Sequence, residues 1–177
     1  MKKFTIAALM IAIAVALFAR SVDAQLTPDQ EKRIQAAAPG KVTAEPKARR
    51  KVLIWNTPYM EASPHKGYTI PQSACALRVL GEKTGAYVSV TSDDQALLLP
   101  GNLKQFDAIL LNNSCGAMTT PTDAAMEKFK SLGYDGTREE ITELLRKSLL
   151  DWVSSGHGVF AFHYAAGGER DWPGYAE

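Results

Sequence analysis

The chain reads as an α/β protein built on a parallel sheet, and three observations carry that reading. Four short apolar, β-branched runs recur, at residues 52–55, 87–91, 106–111 and 159–162. Segments of helical spacing separate the first run from the second and the third from the fourth. Polar residues follow three of the runs: Asn56-Thr57, Asn112-Asn113-Ser114 and His163-Tyr164. Strand, helix, strand, strand, helix, strand is the order of a parallel sheet with helices on both faces. Its crossovers are right-handed, and its ligands gather beyond the carboxyl ends of the strands.

The elements follow in order. Lys2 and Lys3, the apolar run 4–19 and the small-residue site Ser21-Val22-Asp23-Ala24 predict a secretory signal peptide over residues 1–24. A membrane anchor is the competing reading, but the run is about 16 residues, short of the roughly 20 that cross a bilayer, and Arg20 ends it. The product is therefore expected to be exported, periplasmic or extracellular, with no membrane contact after cleavage. Residues 25–50, with Pro28, Pro39 and Pro46, read as a linker or N-terminal arm. Thr27-Pro28 starts a short helix in it, and Pro39-Gly40 stops that helix.

The domain spans residues 51–177. Its first helix covers 67–83, with Pro71 in the first turn and Gly81 or Gly85 at the end. Asp93-Asp94 opens an acidic loop or short helix, and another short helix falls near 123–132. Thr137-Arg138-Glu139-Glu140 is a capping-box start. The helix behind it carries Ile141, Leu144, Leu145, Leu149 and Trp152 on one face, and Gly156 ends it. Residues 171–177 read as the middle of a loop, and a doubly wound sheet of four strands leaves an apolar edge open. The domain is accordingly expected to be C-terminally truncated, or completed by a second copy in a homo-oligomer.

Charge and cysteines bound the function. The 177-residue chain carries a formal charge of +1, with no basic stripe, which speaks against nucleic-acid binding. Cys75 and Cys115 are the two cysteines. In an exported protein they form one disulfide or stay as two small buried or loop residues.

The stretch Gly156-His157-Gly158-Val159-Phe160-Ala161-Phe162-His163-Tyr164-Ala165-Ala166 carries the most chemistry. It predicts a strand covered on both faces that runs into a sharp turn. Ala161 and Ala165 flank His163 at two residues on either side, as a turn that folds back on itself requires. Hydrolases write that turn G-x-S-x-G; here the exposed residue is an imidazole.

Four places resemble the ThuA-like (trehalose utilisation) family, within the class I glutamine amidotransferase-like superfamily. They are Lys51-Val52-Leu53-Ile54-Trp55 with His65 in the following loop, the turn Thr91-Ser92-Asp93-Asp94, the run Leu103-Lys104-Gln105-Phe106-Asp107 leading to Asn113, and residues 156–166 with Trp172-Pro173. The resemblance implies a three-layer flavodoxin-like fold. It implies that His163 stands where amidotransferases keep a cysteine nucleophile. Glutaminase chemistry needs a thiolate there, so that activity is not expected. It also implies a carbohydrate or sugar-derived ligand, turned over by a histidine- or metal-assisted hydrolase or isomerase, or held by a non-catalytic accessory domain.

Each candidate residue keeps two readings. His163 is a base, ligand or hydroxyl donor, or a satisfied strand-end histidine. His65 joins it, with a divalent metal such as zinc between them, or is a solvated loop residue. Asp94 binds hydroxyls or caps a helix. Asn112 and Asn113 bind a polyol or stabilise a turn. Tyr164 and Trp172 stack on a sugar or pack in the core.

Overall fold

The computed structural model describes residues 26–56, 69–112, 114 and 118–175. Strand β1 (Arg50–Trp55) lies inside a four-stranded sheet, parallel to β2 (Tyr87–Ser92) on one side and β3 (Ala108–Asn112) on the other. Strand β4 (Gly158–Phe162) pairs in parallel with β3, which gives the order β2-β1-β3-β4. This is the predicted α/β architecture, and the order matches the opening strands of flavodoxin-like sheets.

The register sets two faces. Leu53 pairs with Ile109, and Leu111 with Ala161, so these residues and Trp55 point to one side. There they form a core with Leu98, Leu103, Phe106, Phe129, Ile141, Leu145 and Leu149. The last three belong to helix α5 (Arg138–Ser154), which starts with the predicted Thr137–Glu140 capping box. Full burial of such a side chain is worth about 1.5–3 kcal/mol, more than the sum of local propensities in one helix turn. Between β2 and β3, a 3-10 turn (Gln95–Leu98) and one-turn helix α3 (Pro100–Leu103) feed Leu98 and Leu103 into this core. Helix α4 (Asp123–Ser131) adds Phe129.

On the other face Val52 and Ile54 meet helix α2 (Thr69–Thr84), whose Ile70, Ala74, Cys75 and Val79 are buried. Gly81 is needed within it. A Cβ there would lie 2.6 Å from the Tyr87 ring and 2.8 Å from its carbonyl oxygen. The αL residue that ends the helix is Gly85, at φ +69°. Helix α1 (Pro28–Ala37) has its own capping box but buries no residue. It is tied to α2 by the Glu31–Arg78 ion pair at 3.0 Å and by Lys83 donating to the Gln35 and Ala38 carbonyls.

At the amino end of the sheet, Asp107 accepts from Lys51 N at 2.7 Å and from Arg50 at 2.9 Å. These bonds, the backbone one first, hold its carboxyl below the ordinary aspartate range. The stability this contributes is present above that range and is lost as pH falls through the lowered value.

One expectation is overturned. Strand β4 is not covered on both faces: Val159 is 41% and Phe160 56% exposed. An apolar run records that a strand is buried somewhere, not which neighbours it has. Here β4 lies at an edge, while α2 packs on β2, β1 and β3.

Candidate functional site

Two polar clusters lie towards the carboxyl ends of the strands. The first joins β1 and β3. Asn112 is 1% exposed. Its Nδ2 donates to Asn56 Oδ1 at 2.8 Å and to the Ile70 carbonyl at 3.1 Å, and its Oδ1 accepts from Ser73 Oγ at 2.5 Å. Ser114 Oγ donates to the Trp55 carbonyl at 3.3 Å. These bonds lock α2 onto the sheet. Asn112 therefore has its amide committed inside the protein, in the turn-stabilising role rather than offered to a polyol. Asn56 Nδ2 is buried without a hydrogen-bond partner.

The second cluster grows from the end of β4. Phe162 is still extended, at φ −131° and ψ 153°, and His163 then turns to φ +55° and opens a 3-10 turn (His163–Gly167). The imidazole is exposed, while Ala165 beneath the turn is 1% exposed and belongs to the core. A larger residue would not fit at Ala165, which is the reason for the small flanking residue. Glu169, at φ +47°, ends the segment. Among the described residues these two are the non-glycine positions with positive φ. Such backbone costs about 1–3 kcal/mol per residue and persists where the surroundings impose it.

Glu169 is buried. Its Oε1 accepts from Thr119 N at 2.5 Å and from Thr119 Oγ at 2.9 Å. Its Oε2 lies 3.6 Å from Arg146 Nη2, an ion-pair distance too long for a hydrogen bond. Arg146 comes from α5, donates to Thr119 Oγ1 at 3.3 Å and Glu143 at 3.0 Å, and covers the Trp172 ring at 5.5 Å. Nearby, Tyr175 donates its hydroxyl to the Ala165 carbonyl at 2.7 Å. Burial first, and then the Glu169 charge, raise that hydroxyl above the usual tyrosine range. A cavity of about 310 Å³ opens between Thr120, Arg146, Tyr164 and the turn at residues 167–171.

The other predicted residues separate. Tyr164 is 37% exposed and lines this cavity. Trp172 is 8% exposed, a core residue under Arg146, so its ring face is covered rather than open for stacking. Asp94 caps Ala96 N at 3.1 Å and pairs with Lys128 at 2.5 Å, the capping use. His157 stacks on Trp152 at 4.5 Å, at the far end of β4. His65, Asn113 and Cys115 lie outside the described residues; Cys75 is buried in α2. Among the described residues no three His, Cys, Asp or Glu side chains gather to hold a metal.

Arg146 and Glu169 did not stand out in the sequence. Arg146 sits beside the apolar stripe of a helix, where a charge reads as solvated surface. Gly167-Gly168 before Glu169 is a weak turn signal in the sequence and does not point to a buried carboxylate. Comparison with family models, with curated proteins and with solved structures gave no match.

Proposed function

We propose that this is an exported ThuA-like protein that acts on or binds a carbohydrate or sugar derivative, with His163 as the central polar group and without glutaminase activity. The observation that carries the reading is the backbone of His163. A histidine is held at φ +55° directly after a strand, with its ring exposed at the carboxyl end of a parallel sheet. Strain of that kind is kept where a side chain must be presented. An imidazole there serves as base or hydroxyl partner, but it does not replace the thiolate of glutamine hydrolysis. The carbohydrate class comes from the family resemblance at the four sequence places given above.

Incubation of the full chain with a carbohydrate panel, followed by product analysis and calorimetry, tests this. Turnover lost in His163→Ala with the thermal transition intact supports an enzyme. Binding without consumption supports the accessory-domain form. A folded chain that neither binds nor converts any carbohydrate overturns the proposal. A parallel zinc titration asks whether His65 and His163 share a metal, in which case stoichiometric binding disappears in His163→Ala.

A further inference from the structure

We propose that the cavity behind the His163 turn binds an uncharged, polyhydroxylated ring, and that Glu169 is the positioning residue that shapes it. The proposal rests on the carbohydrate reading above, and adds the binding residues and the charge of the ligand.

The lining decides the chemistry. Among the described residues its side chains are polar in type apart from Tyr164, while their carbon atoms supply slightly more of the wall than their polar atoms, so a ligand that carries both hydroxyl groups and an apolar face fits it better than a purely apolar one. Its charges cancel, with Arg146 and Arg170 set against Glu169 and Asp171. The described lining therefore carries no net charge, and neither an anion nor a cation finds a net attraction there to offset the loss of its hydration, a cost that a neutral ligand does not meet. Hydroxyl groups both donate and accept, which suits a wall that alternates guanidinium, carboxylate and the hydroxyl of Thr120. Tyr164 offers the one partly open ring for the apolar face of a sugar. The volume of about 310 Å³ is at the low end of the roughly 300–1,000 Å³ of small-molecule sites, which matches a single ring better than a chain.

Glu169 does not reach the ligand, since its Oε2 is sealed from solvent. It acts through others. One oxygen holds Thr119, and the other lies opposite Arg146, whose guanidinium is further fixed by Glu143 and Trp172. Glu169 and His163, the two strained residues, bracket the turn that forms one wall of the cavity. That arrangement fixes the wall before a ligand arrives and lowers the ordering cost of binding.

The test is calorimetry on the full chain. The probes are neutral mono- and disaccharides, each compared with its carboxylate and phosphate derivatives. Neutral sugars should bind in preference. Tyr164→Ala should weaken them about tenfold. Asp171→Asn and Glu169→Gln each leave the lining net positive, and should move the preference towards the sugar carboxylate, a change in selectivity that a purely structural role would not produce. Tighter binding of the anionic derivatives by the unmodified protein overturns the inference. So does neutral-sugar binding that is lost in His163→Ala but unaffected by all three cavity substitutions, and that result leaves the carbohydrate reading standing. A folded chain that binds no sugar overturns both.

Discussion

The two polar clusters at the carboxyl end of the sheet solve opposite problems. Between β1 and β3, Asn112 turns its amide inward and bonds Asn56 Oδ1, Ser73 Oγ and the Ile70 carbonyl, on backbone of ordinary extended geometry. Behind β4, His163 and Glu169 hold strained backbone, an exposed imidazole and a charge pair that stops short of a hydrogen bond. The first cluster is made of interactions that fasten a helix to a sheet. The second retains unfavourable geometry that no packing requirement by itself explains. Polar residues at strand ends are therefore not equivalent, and the commitment of their hydrogen bonds separates scaffold from site.

Substitutions can break this contrast. The largest effect is expected at Glu169. Glu169→Ala leaves Thr119 N without its acceptor and Arg146 without its buried counter-charge, and should cost about 3 kcal/mol in denaturant unfolding. Glu169→Gly should cost about 1 kcal/mol less, because glycine takes positive φ without strain. Equal losses would show that Glu169 is not strained. Next comes Asn112→Ala, which strands the buried Asn56 Oδ1 and removes the bonds to Ser73 and the Ile70 carbonyl, and should lower stability by about 2 kcal/mol. A neutral result there would remove the scaffold assignment of the β1/β3 cluster.

His163→Gly should act in the other direction. Relief of the left-handed backbone should stabilise the chain by about 1 kcal/mol, seen as a raised thermal midpoint, while carbohydrate turnover or binding disappears. A loss of stability would place His163 with the scaffold instead. The smallest effect sharpens the electrostatics of the second cluster. Because the Tyr175 hydroxyl is raised, its contribution to stability is full below the ordinary tyrosine value, near pH 10, and is lost as pH rises through the folded value. In Glu169→Gln, the Tyr175 titration followed by ultraviolet absorbance should move only slightly lower, since burial is the larger cause. A fall to the ordinary value would make Glu169 the dominant influence.

Local patterns wrote much of the fold into the sequence. The capping boxes at Thr27 and Thr137, the stripe from Ile141 to Trp152 and the apolar runs of the strands depend on neighbours a few residues apart, and each falls within two residues of its predicted place. The turn at His163 was legible for the same reason, because a small residue must sit under a chain that doubles back. The exposed face of β4 was not, since strand order is a long-range property that apolar composition does not encode.

The sequence by itself determined the α/β class, the strand and helix positions and the placement of a histidine at a sharp turn, because periodicity, capping and steric size act over short distances. Only the tertiary structure decided that Asn112 and Asp94 are bonded within the protein and that Trp172 lies beneath a guanidinium. It also brought Arg146 from a helix to meet Thr119 and Glu169 from two separate loops. Those outcomes depend on which groups meet across the fold, where burial and charge pairing between distant segments fix the role of a side chain that its own neighbours leave open.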